Sequence, residues 1–181
     1  MTKELAAPRL DVRAFAQGAG NLSGWEPLAR FPRIVDASAH EAPDGLVHWE
    51  ARGEARQSAI GQPELWMHLD ADARVPQVCQ RCLGAMQVHL QVERWFRFVE
   101  DEASATAQDE TCEEDLLVLD HDFDLHGLIE DELLLELPYI ARHEACPTQP
   151  TMSVSDPAFV AEPVRPNPFA ALASLKPGKG S

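Results

Sequence analysis

From Leu46 to Val99 the apolar residues of this chain fall on every second position. Val47, Trp49, Ala51 and Gly53 share one side of a strand, with His48, Glu50, Arg52 and Glu54 on the other. Leu65, Met67 and Leu69 repeat the period. Met86, Val88, Leu90 and Val92 do so again, interrupted at Arg94 and resumed at Phe96 and Phe98. A period of two belongs to a strand with one buried face, since helical stripes recur every three to four residues. Turn signals separate the runs, at Gly61 to Pro63 and at "LGAM" after Cys82, and they predict an antiparallel meander. Such a sheet has one apolar face that must be covered.

Cover is predicted from "DFDLHGLIEDELLLELP", Asp122 to Pro138. Asp124 suits an N-cap, Leu125, Leu128, Ile129 and Leu133 fall at helical spacing, and Pro138 ends the pattern. Glu130, Asp131 and Glu132 are expected to face water in part. A second short helix is predicted in "LDVRAFAQGAG", capped by Asp11 and stopped by Gly18 and Gly20. Pro27 and Pro32 suit a turn followed by an edge strand. The acidic "EDEASATAQDETCEED" reads as a loop. With 181 residues, 45% of them hydrophobic, one core is affordable. The expected fold class is α+β: an antiparallel sheet, able to curl into a barrel-like form, covered by one or two helices. It would occupy residues 1–146, and residues 147–181 would form a Pro-rich extended tail with a short docking helix begun at Asn167-Pro168, carrying Phe169, Leu172 and Leu175 on one side.

Thirty acidic residues against fifteen basic ones give a net charge of −15, so the average field repels phosphate backbones. Between Arg97 and Arg142 there is no lysine or arginine, and half of the acids lie there; Arg165, Lys176 and Lys179 follow the last acid, Glu162. This strip is either a solvated face or a surface for a basic partner. The N-terminus carries no apolar segment of signal-peptide length and no stretch suits a membrane helix, so a cytoplasmic protein without a membrane partner is expected.

In a reducing compartment four cysteines argue for metal, redox or burial before disulfides. Cys79 and Cys82 form one half of a zinc ligand set, and His143 with Cys146 has the types and spacing of the other half; Cys112 is an unassigned competitor. The alternative is that Cys79 and Cys82 are small buried hydrophobes at a strand end. A thioredoxin-like pair would open a helix, whereas strands precede and follow this one. No nucleophile elbow, Gly-rich phosphate loop or His-Glu-x2-His helix is present, and Asp124 beside His121, Asp122 and His126 is explained by capping. Nothing demands an active site.

Three segments in order, "CQRCL", "FDLHGLIEDELLLELPYIARHEAC" and "RPNPFAALASLK", resemble the YceD family of bacterial large-subunit ribosomal RNA accumulation proteins. The resemblance implies a factor that supports synthesis, processing or stability of 23S ribosomal RNA, with no catalytic residues and no defined cofactor. It points to Arg81, Asn167, Pro168, Phe169, Leu172 and Leu175 as partner- or RNA-binding candidates. Some relatives carry a second Cys-x2-Cys that this chain lacks. Given the charge, contact through ribosomal or ribosome assembly proteins is expected first. Direct RNA recognition is the alternative, by Arg81 with Arg74, Arg94 and Arg97 on one sheet face and Trp66 or Trp95 as a stacking surface. A metal-dependent hydrolase or nuclease comes last.

Overall fold

Alternation becomes pairing in the computed structural model, which describes residues 9–39, 45–58, 61, 63–109, 111–112, 114–148, 154, 156 and 169. In chain order the elements are β1 (Arg9–Leu10), α1 (Val12–Gln17), β2 (Asn21–Pro27), a 3-10 turn (Leu28–Arg30), α2 (Pro32–Asp36), β3 (Leu46–Gln57), β4 (Pro63–Val78) and β5 (Ala85–Val99), then α3 (Glu102–Asp109), β6 (Asp115–Val118), β7 (Phe123–Asp124) and α4 (Leu125–Leu135). Five strands form one sheet in the order β2-β3-β4-β5-β6, and β1 pairs with β7 in a short separate ladder. The sheet is open, so the barrel-like form is not adopted: β2 and β6 are its outer strands and do not pair with each other. β6 is moreover parallel to β5, reached through α3, as a parallel neighbour requires a crossover.

The chain divides into a unit over Met1–Thr148 and another over Gln149–Ser181. The core belongs to the first. Val47, Trp49 and Ala51 of β3, Leu65, Met67 and Leu69 of β4, and Leu90, Val92 and Phe96 of β5 face the helices, where Val12 and Ala16 of α1, Ile34 of α2 and Leu125, Ile129 and Leu133 of α4 meet them. Burying each large side chain contributes about 1.5–3 kcal/mol. Gly53 continues the buried row of β3 because α1 lies directly over it: a Cβ there would sit 2.8 Å from the Phe15 carbonyl oxygen and 2.9 Å from the Ala16 Cα.

Both predicted N-caps form. Asp11 accepts from the Ala14 amide at 3.0 Å and Asp124 from the Gly127 amide at 3.0 Å. After α1 the left-handed residue is Ala19, with φ 47°, while Gly18 stays at φ −81°. The edge strand comes before the turn, as β2 ending on Pro27, and Pro32 opens a helix instead of a strand, a first-turn position that needs no N–H. The acidic loop contains α3, capped by Asp101 through the Ser104 amide at 2.7 Å. It buries no residue, so it has no apolar stripe to read.

Glu130 and Glu132 do not face water; they are 4% and 7% exposed. Glu130 accepts from the Arg33 amide and Nε, both at 2.8 Å, and Asp131 pairs with the same guanidinium, locking α2 to α4. Glu132 meets Arg94 Nε at 3.0 Å, which explains the break in the β5 pattern: Arg94 occupies a core-facing position to pair with the helix. Burial pushes the Glu132 carboxyl up, and Arg94 offsets part of that rise. Arg94→Ala is expected to cost about 2–4 kcal/mol in urea unfolding at neutral pH, since it strands a buried carboxylate. Removing the cation raises the folded pKa further above the unfolded one. The penalty is therefore full at neutral pH and shrinks as pH falls towards about 4.3; a penalty equal at both would contradict the assignment.

Candidate metal centre

The β4–β5 ladder runs to its last pair, Val78 with Ala85, and residues 79–84 make the turn beyond it. Cys79 N–H donates to the Gly84 carbonyl at 2.9 Å and Leu83 N–H to the Cys79 carbonyl at 2.8 Å. Leu83 takes φ 57°, a conformation uncommon for a bulky side chain, and the turn curls Cys82 back beside Cys79. The segment after α4 crosses this turn. Gln80 N–H donates to the Ala141 carbonyl at 2.8 Å, and His143 N–H to Cys79 Sγ at 3.3 Å.

These bonds gather the four predicted ligands. Cys79 Sγ, Cys82 Sγ, a His143 ring nitrogen and Cys146 Sγ all lie within 4.8 Å of one another. Cys79 Sγ is 3.9 Å from Cys146 Sγ, and Cys82 Sγ 3.4 Å from His143 Nδ1. With Zn–S near 2.3 Å and Zn–N near 2.05 Å, a tetrahedral ion sets those edges at about 3.8 and about 3.6 Å. Donor set and spacing both fit zinc, and four protein ligands leave no open position for a water. Among the described residues this is the one such cluster.

Sulfur ionisation follows the same geometry. Burial pushes the Cys79 thiol up, but N–H groups of His143, Cys82 and Arg81 aimed at its sulfur outweigh that and bring it down to about 5. The Gly84 amide pulls Cys82 down, yet burial and the neighbouring Cys146 and Cys79 sulfurs raise it on balance. One thiolate forms readily in the cluster and discourages the next, which is the situation a divalent cation relieves.

The other candidates are dispersed. Cys112 stands apart, its thiol on the Glu114 carbonyl at 3.6 Å. Asp124 is spent on its cap, and His126 stacks on Phe31 with ring centroids 4.4 Å apart. The expected basic face does not assemble, because Arg94 pairs opposite Leu69 on the core side while Arg97 stands opposite Trp66 on the other face. There Arg56 covers Trp66 and Trp95 at 4.4 and 4.0 Å, so the indoles are already stacked upon. Arg81 directs its guanidinium to Cys146 Sγ and to the carbonyls of His143 and Glu144. Phe169 is exposed; Asn167, Pro168, Leu172 and Leu175 lie outside the described residues.

Sequence reading missed the apolar side chains around the cluster: Leu83, Tyr139 and Ile140 are 76%, 102% and 58% exposed. An apolar letter in a strand-turn or post-helical segment carries no signal of exposure, and only the fold shows these three outside. Among known proteins, no solved structure matches the chain. The family described as large ribosomal RNA subunit accumulation protein YceD matches residues 67–176, from β4 through the cysteine turn, α4 and His143–Cys146 into the C-terminal unit. A match over more than half of the chain, holding both halves of the ligand cluster, shows that this chain belongs to the YceD family.

Proposed function

We propose that this chain supports accumulation of 23S ribosomal RNA as a non-enzymatic factor and reaches that RNA through a protein partner, not through its own hold on phosphates. The observation that carries the reading is how the arginines are used. Of the eleven described, Arg9, Arg13, Arg30, Arg33, Arg52, Arg56, Arg94 and Arg97 lie within 4.0 Å of a carboxylate. Arg81 is committed to the cysteine cluster, which leaves Arg74 and Arg142. Affinity for nucleic acid comes chiefly from cations that replace counterions, and here most are already neutralised.

A basic partner, a ribosomal or ribosome assembly protein, suits the same surface. The interval from Arg97 to Arg142 supplies carboxylates, and the exposed Leu83, Tyr139 and Ile140 supply apolar anchors of the kind that mark protein contact. The tail over residues 147–181, with Asn167, Pro168, Phe169, Leu172 and Leu175, is a second docking element. No helix of the described residues is long and apolar enough to cross a membrane, and the reading sets the protein to work in the cytoplasm, where ribosomes are assembled. Zinc at Cys79, Cys82, His143 and Cys146 braces the end of the sheet.

The isolated protein is expected to show no salt-dependent retention of 23S transcript at about 0.15 M salt, yet to sediment with precursor large-subunit particles from cell extract. Tight capture of naked transcript would overturn the protein-partner route. Deleting residues 163–181 is expected to abolish the sedimentation; if it is unchanged, the tail has no docking role. Gently purified protein is expected to carry about one equivalent of zinc, lost in Cys146→Ser. Because Cys82 keeps its proton near neutral pH and zinc must displace it, affinity is expected to fall at least about tenfold for each unit of acidification below neutrality. A pH-independent affinity would exclude thiolate ligation.

A further inference from the structure

We propose that Arg81 is the latch and counter-charge of the cysteine–histidine centre, a positioning residue for metal binding and not a contact for RNA; this rests on the zinc reading above. Arg81 lies between the two cysteines of the β4–β5 turn, but all three of its acceptors belong to the other ligand segment. Its Nε donates to Cys146 Sγ at 3.0 Å, and Nη2 donates to the His143 carbonyl at 2.8 Å and the Glu144 carbonyl at 3.2 Å. One edge of the guanidinium fork thus joins the ligand segments without passing through a metal.

Two consequences follow from elementary charge and geometry. Three thiolates, a neutral imidazole and a divalent ion sum to −1, which a fixed guanidinium cancels at a hydrogen-bonded distance. A cationic donor hydrogen-bonded to the Cys146 sulfur also fixes the position of that ligand. Second, the two carbonyl bonds need no ion. With Gln80 on Ala141 and the His143 amide on Cys79, they keep Cys146 within reach of the site before metal arrives. Lysine carries the charge but not the planar fork, and cannot serve sulfur and both carbonyls together from one edge.

The test compares full-length wild type with Arg81→Ala, Arg81→Lys and, as an exposed arginine away from the cluster, Arg74→Ala. Zinc transfer to a chromogenic chelator and amide hydrogen exchange of residues 141–148 in zinc-free protein are measured, with urea midpoints to confirm that each variant folds. Arg81→Ala is expected to release zinc about 10–100-fold faster and to exchange the 141–148 amides at least about tenfold faster without zinc. Arg81→Lys should recover part of the zinc retention and little of the exchange protection, and Arg74→Ala should match wild type. Wild-type release and exchange in Arg81→Ala, or full rescue by lysine, would overturn the proposal. If wild type takes up no zinc the metal reading fails, and the exchange comparison still decides whether Arg81 is a latch.

Discussion

The register of β4 against β5 is the constraint on which everything else depends. Fourteen consecutive pairs, from Leu65 with Phe98 to Val78 with Ala85, put Met67 and Leu69 on the same face as Phe96 and Val92. A slip of one residue would turn that whole row outward, so the ladder has a single low-energy setting. Its far end is then fixed as well. Cys79 follows Val78 directly, and the position of both cysteines is set by apolar packing distributed along the strands, well before any ligand chemistry operates.

Charge is arranged around that frame so that it closes on itself. α4 approaches the sheet with two buried carboxylates, and each meets an arginine supplied by another element: Arg33 from α2 and Arg94 from β5. Buried pairs of this kind contribute little net stability against an apolar replacement, but an unmatched partner is costly. They therefore select one orientation of α4 over rotated ones. The segment leaving α4 then runs to the cysteine turn, where His143 and Cys146 meet Cys79 and Cys82. The same pairing neutralises two half-exposed arginines in a protein whose net charge is already −15.

What could be read beforehand was what repeats. The three long strands, their buried faces and both N-caps followed from period two, period 3.6 and an aspartate ahead of an apolar run. The grouping of Cys79, Cys82, His143 and Cys146 followed from types and spacing. Elements without periodic signal stayed hidden: α3 buries nothing, β6 has four residues, and the open edges of the sheet depend on a parallel strand that only a crossover could supply. The placement of Arg94, Glu130 and Glu132 inverted expectation because pairing across 38 residues or more overrides local polarity. Arg81 illustrates the same limit. As a letter it is a cation in a turn, and its acceptors lie 62 to 65 positions away.

The location of the cluster also shows what a metal bound there would add to a domain with an ample core. The β4–β5 turn projects past the last ladder pair, and residues 136–148 carry no helix or strand; neither end is held by the hydrophobic cluster, whose last members are Leu134 and Leu137. Joining Cys79 to Cys146 closes a loop of 67 residues, and a covalent bridge of that length would remove roughly 4 kcal/mol of chain entropy from the unfolded state. A four-ligand ion held by Cys79, Cys82, His143 and Cys146 would achieve the same closure and order both ends at once. Burial alone could not do this, because the joined segments expose Leu83, Tyr139 and Ile140. Keeping apolar side chains in water on an ordered surface requires a restraint that does not depend on burying them, and a metal at this cluster with Arg81 beside it would be such a restraint.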